Sequence, residues 1–153
     1  MAKLDKSITI SAFVRQLEEF NVDFYKNCLL KTNQFSTKFI LQQVIQDHQK
    51  YKKDIIPDID GLGEEQVESR YLENIIEDFR RNYVENQFEL ESLNFVEATE
   101  LAVILIEYAI KKYDILLKYP LSSASKKSLD VIFQKKQNQL EMLKKEYEKR
   151  RYK

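Results

Sequence analysis

Glycine and proline are scarce in this chain, which has 153 residues and only two of each. Average proteins contain about 7% glycine and about 5% proline, so a turn-rich all-β fold would lack the residues that its turns require. Cysteine is scarcer still, because Cys28 is the only one and no intramolecular disulfide can form. The composition therefore predicts an all-α protein of long helices in a reducing, cytoplasmic compartment.

Long hydrophobic runs are also absent. The first ten residues lack the apolar core of a signal peptide, and the longest apolar run, 101–106, is far shorter than the about 20 residues that span a membrane. The net charge is zero, and Glu141, Glu146 and Glu148 interrupt the basic C-terminal stretch. We therefore expect one domain, 1–153, that binds neither nucleic acid nor membrane.

Enzyme motifs are missing as well. The sequence has no Gly-rich phosphate loop, no Cys-x-x-Cys cluster and no Gly-x-Ser-x-Gly, and His48 is its only histidine. A single histidine argues against triad or general acid–base chemistry, and a single cysteine excludes cysteine-rich zinc and rubredoxin-type iron sites. The sequence gives no positive indication of catalysis.

Apolar residues recur at three- and four-residue spacing, which predicts amphipathic helices. The predicted helices are A (about 7–31), B (about 37–56), C (about 95–118) and D (about 122–150). Pro120 follows helix C, and Asn94 with Glu97 resembles a capping box at its start. Helices A and B form a first hairpin, about 7–56, and helices C and D form a second, about 94–150.

The two hairpins are joined by a predicted crossover at about 57–93. Its first part, 57–63, contains one proline and both glycines and is the strongest break in the chain. Glu64 and Glu65 then favour the start of an additional acidic helix that runs to about 91, because acids stabilise the N-terminal end of a helix.

The two hairpins also resemble each other in sequence. A shift of 88 residues aligns helix A with helix C, and both contain Glu-x5-Tyr, starting at Glu19 and at Glu107. A shift of 92 residues aligns helix B with helix D and places His48 opposite Leu140. Any two amphipathic helices align to some degree, so chance is the alternative, but the shared Glu-x5-Tyr favours a true repeat.

With Glu19, His48 and Glu107 at these positions, the chain resembles the ferritin-like superfamily and, within it, the rubrerythrin-like proteins. The resemblance implies a four-helix bundle of two hairpins with an additional helix in the crossover, and by analogy a homodimer. Such bundles carry one Glu on the first helix of each hairpin and Glu-x-x-His on the second, which together bind two irons. By that pattern Glu19, His48 and Glu107 are metal ligands, for iron or another divalent metal.

Three of the family's six ligands are missing from this sequence. Ile45 stands where a Glu should precede His48, and Gln137 and Leu140 occupy the second Glu-x-x-His. The remaining three hold one metal ion at most. The resemblance therefore implies an incomplete di-iron site that binds one metal weakly or none, without ordinary di-iron turnover. The alternative function is a non-catalytic helical scaffold or protein-interaction module.

Each candidate ligand also has a purely structural interpretation. Glu107 lies among apolar residues, so it is either a buried ligand or the ion-pair partner of Lys111 one turn later. Glu19 lies among charged residues, and Glu18 is the alternative for the acid that faces the core. His48 can equally be a satisfied, semi-buried core histidine. Convergence of these side chains inside the bundle would favour a metal site, and dispersal would favour the scaffold.

Overall fold

The protein is described here from a computed structural model, which covers residues 7–68, 77, 81 and 93–151. The described part is mainly helical, which confirms the predicted predominance of helix. None of its helices is long and apolar enough to cross a membrane. In chain order its elements are β1 (Ser7–Thr9), α1 (Ile10–Lys31), α2 (Phe35–Asp54), α3 (Ile56–Asp60), β2 (Gln66–Glu68), α4 (Phe95–Leu117) and α5 (Ser123–Arg151).

Helices α1 and α2 correspond to predicted helices A and B. Thr9 caps α1, since its hydroxyl oxygen accepts a hydrogen bond from the Ala12 N–H at 3.1 Å. Only three residues, 32–34, separate α1 from α2, and the two helices pack along each other. Helix A was predicted to begin three residues too early, because β1 pairs antiparallel with β2. A three-residue strand is too short to show an alternating pattern.

The crossover differs from its prediction in two places. The chain does turn at 61–64, at the end of the predicted break, but Pro57 lies in the first turn of the short helix α3, where its missing N–H would have had no helical partner. Strand β2 replaces the helix that was predicted to begin at Glu64. The remainder of the predicted additional helix, 64–91, lies outside the described residues apart from positions 77 and 81.

Helices α4 and α5 correspond to predicted helices C and D. The predicted capping box is confirmed, because Asn94 Oδ1 accepts the Glu97 N–H at 2.8 Å and Glu97 Oε1 accepts the Asn94 N–H at 3.1 Å. Ser122 caps α5 by accepting the Ser125 N–H at 3.1 Å. Helix α4 packs extensively along α5 and also contacts α2, so the two helix pairs share one core.

The pattern of burial follows the predicted 88-residue repeat between α1 and α4. Eight buried positions of α1 each have a buried counterpart in α4 at that shift. The α1 positions are Ile10, Phe13, Val14, Leu17, Glu18, Asn21, Tyr25 and Cys28, and the α4 positions are Ala98, Leu101, Ala102, Leu105, Ile106, Ala109, Tyr113 and Leu116. The counterpart of Glu18 is therefore Ile106, so the second helix pair has no acid at this position.

The apolar core is divided into two clusters. One includes Ile10 and Leu129 near the β1–β2 pair, and the other includes Cys28 and Leu101 near the turn between α1 and α2. Between the two clusters, α1, α2 and α5 contribute polar side chains to the interior. These are Glu18, Asn21, His48, Lys136 and Gln139. A polar layer thus crosses the middle of an otherwise apolar core.

Candidate functional site

The centre of the polar layer is the carboxylate of Glu18, which is 1% exposed. Its Oε1 lies 2.7 Å from Lys136 Nζ and 2.7 Å from His48 Nε2, and its Oε2 accepts a hydrogen bond from the Tyr113 hydroxyl. We name these four residues the Glu18 cluster. Helices α1, α2, α4 and α5 each supply one of them, so a single carboxylate connects both helix pairs.

Lys136 is the most unusual member of the cluster, because its side chain is completely buried. Lysine is almost never fully buried unless it is paired. Here the ammonium contacts the Glu18 carboxylate and also lies 4.5 Å from the centroid of the Tyr51 ring, a favourable cation–π position. Burial lowers the pKa of Lys136, and the Glu18 carboxylate opposes that effect.

The ionisation of the cluster follows from these contacts. Burial alone would raise the pKa of Glu18, but the Lys136 ammonium and His48 together lower it to about 2. Burial and the Glu18 carboxylate raise the pKa of Tyr113 well above 10, so its phenol keeps the proton that it donates. Glu18 and Lys136 thus form a buried ion pair in which each group favours the charged form of the other.

The His48 imidazole is neutral in this environment. The ring is fully buried between two tyrosines, with its centroid 6.1 Å from that of Tyr25 and 5.8 Å from that of Tyr51. Burial and the nearby Lys136 ammonium lower the pKa of His48, and they outweigh the opposite effect of Glu18. A second positive charge in the cluster is thus disfavoured.

The two ring nitrogens of His48 have different neighbours. Nε2 lies 2.7 Å from Glu18 Oε1, although the ring N–H is not well aligned with that oxygen, and Nδ1 lies 3.4 Å from Gln139 Nε2. A carboxylate can only accept and the Gln139 amide nitrogen can only donate, so these contacts assign the proton to Nε2. His48 therefore connects Glu18 to α5 through both of its nitrogens.

The structure does not bring the three predicted metal ligands together. His48 lies in the cluster, whereas Glu19 and Glu107 are both exposed. Glu107 is neither buried nor paired with Lys111; its carboxylate lies 3.6 Å from Lys144 Nζ. It lines an open groove of about 620 Å³ between α4 and α5. Among the described residues, no group of three or more His, Cys, Asp or Glu side chains could hold a metal ion.

Gln137, which the family pattern placed in the second Glu-x-x-His, lines the same open groove as Glu107. The inward residues of α5 are instead Lys136 and Gln139. Neighbouring residues on a helix point about 100° apart, so a displacement of one position moves a side chain from the core to the surface. Glu19 and Glu18 also differ by one position. Glu18, the alternative candidate for the acid that faces the core, is the buried one, and Glu19 is exposed.

Sequence reasoning did not identify Lys136, Tyr113 or Gln139 as site residues. A signal was available for Lys136, because it lies four residues after Ile132 and four before Leu140, on the apolar stripe of helix D. That signal was concealed by its polar neighbours, Gln134, Lys135 and Gln137. For Tyr113 no comparable signal exists, since a tyrosine on an apolar stripe is ordinary.

The Glu18 cluster is shielded from solvent. Glu18, His48, Tyr113 and Lys136 are at most 1% exposed, so within the described part of the chain no opening leads a substrate to them. The cluster connects four helices through one buried carboxylate.

Comparisons with known proteins found nothing similar to this chain. No protein-family model, no curated protein and no solved structure matches it significantly.

Proposed function

We propose that this protein is a non-catalytic, ferritin-like four-helix bundle in which its own Lys136 ammonium takes the position of the core metal ion. Its role is that of a protein-interaction or scaffold module. The observation that supports the proposal is the fully buried Lys136, whose Nζ lies 2.7 Å from the Glu18 carboxylate and beside His48. The Glu18 carboxylate, which together with His48 would suit a metal ion, contacts an ammonium instead.

The residues of the cluster do not suit a divalent metal. A metal bound to Glu18 and His48 would lie next to the Lys136 ammonium, and like charges repel strongly where water is excluded. The His48 nitrogen nearest Glu18 is also the one to which the contacts of the ring assign the proton, so a metal ion at that nitrogen would have to displace the proton. Ile45 and Ile106 occupy positions where additional carboxylates would be needed.

A role in fixing the arrangement of the two hairpins follows from the placement of the cluster. Side chains from α1, α2, α4 and α5 meet at the Glu18 carboxylate, between two apolar clusters. If one hairpin slid along the other, Glu18 or Lys136 would remain buried without its partner, which is strongly unfavourable. The cluster therefore selects one alignment of the helices, and a rigid bundle is a suitable platform for a partner.

Metal analysis of the purified protein tests the proposal. After anaerobic loading with Fe²⁺, or loading with Zn²⁺, and then desalting, we expect no stoichiometric metal in the wild-type protein. Lys136→Glu replaces the ammonium with a third potential ligand beside Glu18 and His48, so this variant should retain metal. Lys127→Glu is the matched control, because Lys127 lies at an exposed position of the same helix, outside the cluster.

One outcome would reverse the proposal. Retention of one metal per wild-type chain, abolished by Glu18→Gln and by His48→Gln, would mean that a metal displaces Lys136. The protein would then be a weak single-metal binder. Because this outcome is measured on the wild-type protein, it does not depend on the folding of Lys136→Glu. Sedimentation equilibrium on the same samples tests the homodimer that the ferritin-like resemblance implies.

A further inference from the structure

Three large apolar side chains are exposed where α1 turns into α2. Leu30 and Phe35 are each 86% exposed, and Phe39, one helical turn after Phe35, is 51% exposed. Exposed lysines lie beside them at Lys26, Lys31 and Lys38. We name these six residues the α1–α2 tip. Single exposed apolar residues are common, but three within ten residues form a patch of the kind that binds partners.

The tip has a positive charge as well as an apolar surface. From residue 24 to residue 46 the chain contains the three lysines of the tip and no acid. The nearby start of α4 contributes Glu97 and Glu100, but the Glu97 carboxylate accepts the Asn94 N–H in the capping box. The surface around the apolar side chains is therefore predominantly basic.

The tip is held rigidly to the rest of the bundle. The hydroxyl of Thr37, in the first turn of α2, donates a hydrogen bond to the Leu93 carbonyl oxygen at 2.6 Å, and the Thr32 hydroxyl donates to the same oxygen at 3.5 Å. Both threonines and Leu93 are buried. The turn is thus fixed before any partner arrives, which reduces the entropy that binding must overcome.

We propose that the α1–α2 tip binds an acidic amphipathic segment of another protein. This inference rests on the proposed function as an interaction module and names the chemistry of the partner. Leu30 and Phe35 would insert among apolar side chains of the partner, and aromatic residues such as phenylalanine are enriched in the cores of interfaces. The lysines of the tip would face acidic residues of the partner, which would accelerate and orient the encounter.

Charge and side-chain polarity disfavour two other occupants. Two copies of this chain that met tip to tip would bring six lysines together, and like charges across an interface are unfavourable. Insertion of the tip into a lipid bilayer would bury the polar side chains of Asn33 and Gln34, whose amide groups would lose their hydrogen bonds to water in hydrocarbon. A partner protein can supply hydrogen bonds to the same groups.

Fluorescence anisotropy with two labelled synthetic peptides tests the inference on the full-length chain. One peptide is an amphipathic helix of leucine and glutamate, and the other has lysine in place of each glutamate. We expect saturable binding of the acidic peptide, at least about tenfold tighter than that of the basic peptide. Combining Leu30→Ser with Phe35→Ser should weaken acidic-peptide binding by at least about tenfold.

The control variant is Ile56→Ser, since Ile56 is also a half-exposed apolar residue but lies on α3. It should bind the acidic peptide like the wild-type protein. Absence of saturable binding, equal binding of both peptides or equal binding by the tip variant would overturn the inference. Cosedimentation with phosphatidylserine vesicles that depends on Phe35 would replace the protein partner with a membrane. None of these results bears on metal content, so failure here is distinguishable from failure of the proposed function.

Discussion

The Glu18 cluster and the α1–α2 tip place side chains in opposite ways. The cluster encloses a carboxylate and an ammonium, Glu18 and Lys136, in a core from which water is excluded, whereas the tip presents Leu30 and Phe35 to solvent. Both placements depart from the usual preference of apolar side chains for the interior and charged side chains for the surface. The two regions differ in how strongly the stability of the protein depends on the contacts of these side chains.

In the cluster, the charges of Glu18 and Lys136 are paired with each other. At the tip, Leu30 and Phe35 remain exposed to solvent. Removing one member of a buried ion pair leaves the other charge with neither water nor a partner, so the substitution lowers the free energy of unfolding strongly. Removing an exposed apolar side chain exposes little new surface and changes folding little. The comparison therefore predicts large stability effects in the middle of the protein and small ones at the tip.

The largest expected effect comes from Lys136→Met, which leaves the Glu18 carboxylate buried without its counter-charge. We expect the free energy of unfolding to fall by about 3–5 kcal/mol. Lys127→Met, at an exposed position of the same helix, should change it by less than about 0.5 kcal/mol. Urea denaturation followed by circular dichroism measures both.

A double variant sharpens this result. Combining Lys136→Met with Glu18→Leu removes both charges, so the double variant should be more stable than Lys136→Met alone. The coupling between the two residues is the amount by which the double variant's loss differs from the sum of the losses in Lys136→Met and Glu18→Leu. Additive losses from the two substitutions would contradict the description of Glu18 and Lys136 as a buried ion pair.

Tyr113→Phe should have the next largest effect. Its hydroxyl donates to the charged Glu18 carboxylate, and hydrogen bonds to charged groups contribute about 1.5–3 kcal/mol. The matched control is Tyr25→Phe, because the Tyr25 hydroxyl donates to the neutral Ala102 carbonyl at a longer distance of 3.5 Å. We expect a loss of less than about 1 kcal/mol there. If thermal and urea denaturation give equal losses for the two variants, the carboxylate is not the stronger partner.

The pH dependence of stability tests the neutral state of His48. The pKa of His48 in the folded protein is lowered below the ordinary value of 6.5. As pH falls, His48 is therefore protonated more readily in the unfolded chain than in the folded protein. The free energy of unfolding should therefore decrease as pH falls from about 7.5 to 5.5, with a slope of at most about 1.4 kcal/mol per pH unit. His48 is the only histidine, so His48→Gln should flatten this slope.

The same measurement at lower pH reports on Glu18. Its pKa is lowered to about 2, so the stability that its ionised form contributes is present above its ordinary value of 4.5 and is lost as pH falls towards 2. Glu18→Gln should remove this contribution.

For the His48 prediction, the contradicting result lies at higher pH. A His48→Gln protein that keeps the wild-type slope between pH 7.5 and 5.5 would show that another group titrates there.

Phe35→Ser should have the smallest effect on stability. Phe35 is 86% exposed, and we expect the free energy of unfolding to change by less than about 0.5 kcal/mol. Phe13→Ala is the contrast, since Phe13 is fully buried and its loss should cost about 3–5 kcal/mol. A large loss of stability in Phe35→Ser would mean that the tip is part of the core and not a free surface.

Much of the helical organisation was predictable from the sequence, because it depends on local signals. The spacing of apolar residues located the helices, and the capping box at Asn94 and Glu97 marked the start of α4 within one residue. The 88-residue repeat, proposed from residues such as Leu17 and Leu105, reappears as matching burial. The strands β1 and β2 were not predictable, since each is three residues long and is stabilised by pairing across the chain.

The members of the Glu18 cluster could not be selected by the same signals. Sequence spacing identified the correct face of α1 but did not choose between Glu18 and Glu19, and a difference of about 100° in direction decides between core and solvent. His48 was recognised as a buried or semi-buried residue, but its partners lie on other helices, up to 91 positions away at Gln139.

The sequence by itself determined the helical class, most helix boundaries and the faces that pack together, since these follow from the composition and periodicity of neighbouring residues. Only the tertiary structure decided that Lys136 is buried against Glu18, and that Leu30 and Phe35 are left exposed. The physical reason is that burial and charge pairing are properties of several helices at once. A lysine on an apolar stripe becomes the partner of a carboxylate only when another helix places that carboxylate within reach.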